Sequence, residues 1–105
     1  MISPEEVKKC ALSFEGTDEK PHFHRIAFTV NKRIFATLSY EDKTVNLMFN
    51  PQLQVLFCPP SSEVIFPIPN GWGKKGATTI NLDKATKKLV QSALQEAYKL
   101  KKKNK

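Results

Sequence analysis

Gly71-Trp72-Gly73-Lys74-Lys75-Gly76 matches G-x-G-x-x-G letter for letter. A dinucleotide site needs that motif between a strand and a helix, so that the helix N-terminus meets a pyrophosphate. Here the β-branched run Ala77-Thr78-Thr79-Ile80-Asn81-Leu82 follows, and no long βαβ unit holds the glycines. A kinase-type glycine loop does lie between strands, but the other kinase signatures are absent. What remains is a glycine-rich hairpin tip with two adjacent lysines and a tryptophan. Backbone N–H groups and lysines at such a tip can approach a phosphate. The plain alternative is an ordinary turn with solvated lysines and Trp72 folded onto the core.

Lys32-Arg33 stands at a second predicted hairpin tip. Two basic tips and a lysine-faced helix would together make a footprint for a phosphate backbone. His22 and His24 sit two residues apart and could begin a metal site. No third ligand stands at a telling spacing, so no metal is expected. Cys10 and Cys58 are far apart and belong to no C-x-x-C, which suits reduced, buried thiols. No nucleophile elbow, paired catalytic carboxylates or Ser/Cys–His arrangement can be argued, so neither catalysis nor a cofactor is expected.

The charge is unevenly placed. Residues 84–105 hold eight lysines against Glu96 alone, so the chain's whole net charge of +7 lies in that segment. Such a segment suits phosphate polymers or anionic surfaces, and it also keeps a small domain soluble. The chain has 105 residues, enough for one domain with one core. No apolar run is long enough for a membrane span, and Met1 to Cys10 lacks the apolar centre of a signal peptide. A cytoplasmic address is therefore expected, with no membrane partner; oligomeric state is left open.

The positioning elements follow from periodicity. Ser3-Pro4-Glu5-Glu6 is a capping box with proline at the first helical position, and Val7, Cys10, Ala11 and Phe14 form the helix's apolar stripe. From His22 to Phe49, three runs alternate with period 2. Ile26, Phe28 and Val30 share a face of the first run. Ile34, Ala36, Leu38 and Tyr40 share one of the second, and Val45, Leu47 and Phe49 one of the third. That pattern predicts a three-stranded antiparallel meander. Asn50-Pro51 opens a short second helix. Val64, Phe66 and Ile68 make a fourth strand, placed at a sheet edge by Pro67 and Pro69. Thr78, Ile80 and Leu82 make the fifth. The last helix is predicted to start near Thr86, with Asp83 as the other cap candidate, with Val90, Ala93, Leu94 and Ala97 buried, and residues 101–105 to fray. The order is α-β-β-β-α-β-β-α, an α+β two-layer sandwich with helices on one sheet face. Phe28, Leu38, Leu47, Ile80 and Leu94 should meet in the core. The other face should present Arg25, Ala27, Thr29, Arg33, Phe35, Thr37, Ser39, Asn46 and Met48.

The runs Pro21 to Leu38 (PHFHRIAFTVNKRIFATL) and Phe66 to Leu82 (FPIPNGWGKKGATTINL) resemble the two signatures of the MmcQ/YjbR family, and the ending Gln95 to Leu100 also fits. The resemblance covers nearly the whole chain. It implies an α-β(3)-α-β(2)-α fold similar to secretion chaperones, with a five-stranded antiparallel sheet in the order 1-2-3-5-4. It also implies DNA binding through a double wing of hairpins. Many members carry an aromatic residue where this chain has Ala77, which weakens the carry-over at that loop.

Two functions are therefore carried forward. The first is a non-catalytic nucleic-acid-binding protein with DNA as partner and slight sequence preference. Lys32 and Arg33 would form one wing, and Trp72, Lys74 and Lys75 the other. Lys99, Lys101, Lys102 and Lys103 would add phosphate contacts. The second is a protein-partner adaptor that uses the open sheet face, with Phe35 and Met48 as contacts.

Overall fold

The computed structural model describes residues 2–103. Helix α1 (Pro4–Ser13) begins at the capping box: the Ser3 Oγ accepts from the Glu6 backbone N–H, and the Glu6 side chain accepts from the Ser3 N–H. Ile2 and Val7 are both buried and close this end of the helix over the core. Strands β1 (Thr17–His22), β2 (Arg25–Val30), β3 (Arg33–Ser39) and β4 (Thr44–Met48) follow. Asn50 caps α2 (Pro51–Phe57) by accepting from the Leu53 N–H at 2.8 Å. Then come β5 (Ile65–Pro67), a single turn of helix α3 (Gly71–Lys74), β6 (Ala77–Asn81) and α4 (Lys87–Lys103). Thr86 caps α4, its hydroxyl accepting from the Leu89 N–H.

The sheet is antiparallel with six strands in the order β1-β2-β3-β4-β6-β5, not five. The five predicted strands are present in the predicted relative order. The sixth is β1, which lies almost wholly before the meander predicted from His22 to Phe49. Its sequence, TDEKPH, has no apolar alternation, and it is held by its ladder to β2. Charged side chains and Pro21 suit it to an edge, where unpaired backbone must not recruit another strand. The opposite edge is β5, with Pro67 in it, as its prolines demand.

Phe28, Leu38, Leu47, Ile80 and Leu94 are all fully buried in one cluster beneath α1 and α4. One strand departs from its predicted phase. The β2–β3 register steps from Phe28↔Ala36 to Thr29↔Ile34, so Phe35 is the extra residue of a β-bulge. The bulge turns Phe35 into the core, 6.4 Å from Phe14 and 5.7 Å from Tyr98 between ring centroids. Ile34 moves to the uncovered face in its place. Phe35 is thus not available to a partner on the open sheet face. Among the described residues no helix is long and apolar enough to cross a membrane.

Candidate nucleic-acid interface

The sheet has two ends, and the register decides which loops share one. β2 finishes at Val30 and β3 starts at Arg33, so the Asn31-Lys32 turn lies at one end. β4 finishes at that same end with Met48, which pairs with Ala77 at the start of β6. Helix α3, immediately before β6, is therefore there as well. The C-terminal turn of α4 joins them, because the Asn31 side-chain amide donates to the Lys102 carbonyl at 3.0 Å. Lys99 and Lys103 lie beside Asn50, just past β4. Lys32, Arg33, Trp72, Lys74, Lys75, Lys99 and Lys101 to Lys103 are thus collected at one end of the molecule, although they come from three separate segments.

Local chemistry explains each piece. Asn31 and Lys32 both have positive φ, 52° and 66°, as a two-residue turn matching the strand twist requires. Arg33 begins β3 directly after it. The glycine-rich stretch is not a hairpin tip but the one-turn helix α3. Asn70 caps it, accepting from the Trp72 N–H at 2.8 Å. Two of its glycines are explained by packing. A Cβ at Gly73 would stand 1.8 Å from the Ile68 carbonyl oxygen. Gly76 has φ +114°, and a Cβ there would stand 2.2 Å from the Phe49 carbonyl oxygen. The G-x-G-x-x-G spacing thus reflects close backbone approach. Trp72 does not fold onto the core; it is 66% exposed, with the Lys75 ammonium 5.3 Å from its ring centroid.

Some of the lysines are already engaged. Lys102 lies 3.7 Å from Glu15 and 5.4 Å from the Tyr98 ring centroid; Tyr98 first, and Glu15 after it, hold its ammonium above the ordinary lysine pKa. Lys99 pairs with Glu96 at 3.7 Å. These exposed pairs are weak and can exchange for phosphate oxygens. Lys101 to Lys103, predicted to fray, form the last turn of α4; Asn104 and Lys105 lie outside the described residues.

The sequence reading missed Arg25 and Phe23 as site residues. Arg25 lies across the uncovered face. Its Nε and Nη2 donate to the Thr37 hydroxyl and carbonyl, both at 2.9 Å, and its Nη groups reach the Thr44 hydroxyl and carbonyl at 3.3 and 3.2 Å. Burial lowers its pKa, an effect opposed by the charge of Asp42. The alternation had marked Arg25 only as outward-facing, and no sequence signal tells an outward arginine that lies flat from one that is solvated. Phe23 occupies the β1–β2 turn with φ 60° and is 89% exposed. That turn also separates His22, the last residue of β1, from His24, so the two are not successive same-face positions on one strand. Among the described residues no group of three or more His, Cys, Asp or Glu could hold a metal ion. Cys10 and Cys58 are free thiols, both pushed up in pKa by burial.

Ala77, at the position where an aromatic was expected from the resemblance, is buried at the start of β6, and its carbonyl accepts from Ile68 N–H and from the Gln54 amide. No curated protein matches the chain. A family model described as YjbR matches residues 12–100, from the end of α1 to near the end of α4 and across the whole sheet. With both signature stretches inside that span, the chain belongs to the YjbR family.

Proposed function

We propose that this protein binds nucleic acid without catalysis, gripping the phosphate backbone with the basic end of its sheet and reading little sequence. The observation that carries this is the Asn31–Lys102 hydrogen bond, which fixes the Lys32-Arg33 turn against the lysine-rich end of α4. Helix α3 adds Lys74 and Lys75 at the same end. Cations gathered there release counterions on meeting a polyphosphate, which drives association whatever the base sequence. None of these segments presents a helix with base-reading side chains, so the contacts position a backbone and do not specify a site. The adaptor reading loses its aromatic contact, since Phe35 is wholly buried, and keeps only Met48.

The test compares two charge-matched double variants in a duplex-DNA titration monitored by anisotropy. Lys74→Ala with Lys75→Ala strips the basic end. Lys43→Ala with Lys84→Ala strips the opposite end, where Thr44 pairs with Asn81. The first pair should weaken binding clearly more than the second at equal salt. For about five phosphates neutralised, the log–log salt slope should be near −4.5 at roughly −0.9 per phosphate. Equal losses from the two pairs would leave only diffuse charge and sink the proposal. So would no binding of DNA or RNA at low salt.

A further inference from the structure

The uncovered sheet face is not flat. Between the β1–β2 turn and α3 it forms a groove of about 700 Å³. Phe23 stands at one end and Trp72 at the other, 89% and 66% exposed. Phe23 keeps that exposure in a backbone conformation that bulky residues rarely adopt, and such outliers concentrate at functional sites. Arg25 lies in the floor between them. It is half-buried, gives its hydrogen bonds to neutral Thr37 and Thr44 groups, and pairs with no carboxylate among the described residues. Lys101 reaches the rim. The rest of the floor is mixed: Ile34 and Met48 are apolar, while the Asn46 amide oxygen accepts from the Thr79 hydroxyl at 2.7 Å.

We infer that this groove takes single-stranded nucleic acid, with bases stacked on Phe23 and Trp72 and a phosphate drawn to Arg25. Exposed aromatic rings at both ends and a cation in no salt bridge between them are the two parts of a single-strand platform. A duplex cannot use the rings, because its bases are already stacked on one another. An apolar protein surface would desolvate Arg25 further and bring it no ion-pair partner, which disfavours that occupant. This inference rests on the nucleic-acid reading above and adds which form of the polymer enters the uncovered face.

Trp72 is the chain's only tryptophan, so its fluorescence reports on the α3 end of the groove. The experiment titrates the full chain with a short oligothymidylate and with a duplex of equal length, at one salt concentration. The single strand should quench Trp72. Phe23→Ala should weaken oligothymidylate binding about tenfold, as loss of one stacked base does, and leave duplex affinity within about twofold. Arg25→Gln should also weaken the single strand, and Phe23→Ala carries the test alone if Arg25→Gln does not fold. Unquenched Trp72, or unchanged oligothymidylate affinity in Phe23→Ala, would overturn the groove. If duplex binding then still depends on Lys74 and Lys75, the basic-end proposal stands without it. Binding of the single strand through the groove with no effect of those lysines would leave the groove and remove the basic end. No binding of either polymer would remove both.

Discussion

Phe35 and Ile34 exchange faces, and the exchange shows what a residue-level reading can and cannot reach. Period-2 alternation places Ile34 with Ala36 and Leu38, and for an unbroken strand that is correct. The β-bulge inserts one residue into β3, so positions before and after it obey opposite phases. No residue in Arg33-Ile34-Phe35-Ala36 announces this, since both candidates for burial are apolar. What decides it is the aromatic cluster of Phe14, Phe28 and Tyr98 under the sheet, into which Phe35 packs. Those partners lie far apart in sequence. Phe35→Ala should therefore destabilise the protein by about 3–5 kcal/mol, as for other buried aromatics. Ile34→Ala, on the uncovered face, should cost about 1 kcal/mol. Urea unfolding of the two variants measures the difference, and a larger loss for Ile34→Ala would restore the unbroken phase.

At the scale of elements, legibility followed the strength of local chemistry. Both caps followed by proline, Ser3 before Pro4 and Asn50 before Pro51, form where the sequence puts them, because a short polar side chain and a fixed φ leave few alternatives. β1 was not legible because it buries no hydrophobic side chain of its own; its ladder exists only because β2 offers a free edge. α3 was not legible because glycine predicts a turn, and only contacts with Ile68 and Phe49 require the glycines here. The α1 cap also carries a pH dependence. The Ser3 backbone N–H and hydroxyl bond the Glu6 carboxylate and lower its pKa below the ordinary 4.5, with Lys87 helping from α4. A carboxylate lowered on folding adds stability above its unfolded pKa and loses it as pH falls through the folded value. Ser3→Ala should cost about 1 kcal/mol near neutral pH through the lost cap. Glu6→Gln should flatten the decline in stability below about pH 4.5. Thermal melts across pH 3 to 7 would check both, and an unchanged acid limb in Glu6→Gln would show that the capping carboxylate plays no part in it.

At the scale of the molecule, the candidate site is an emergent property of topology. Each basic segment was visible in the sequence, but their meeting at one sheet end depends on where β2, β4 and α4 finish and where β6 begins. The groove is less visible still, because it needs Arg25 lying across β3 to β4, with Phe23 and Trp72 at opposite ends of the sheet. The same topology makes the family-matched span, residues 12–100, smaller than the folding unit. It omits nearly all of α1, yet α1 packs on α4, β1 and β3, and Ile2 donates its backbone N–H to the Leu82 carbonyl. Ile2, Val7 and Ala11 are buried in the core. Full burial of a Val or Ile side chain contributes about 1.5–3 kcal/mol. Losing these, and uncovering the partners beneath them, removes a large share of the roughly 5–15 kcal/mol that holds a domain together. A fragment of residues 12–100 should therefore lack a cooperative melting transition and bind a hydrophobic dye, while the full chain melts cooperatively and does not. If instead the fragment melts sharply within a few degrees of the full chain, α1 is an accessory and the core closes without it.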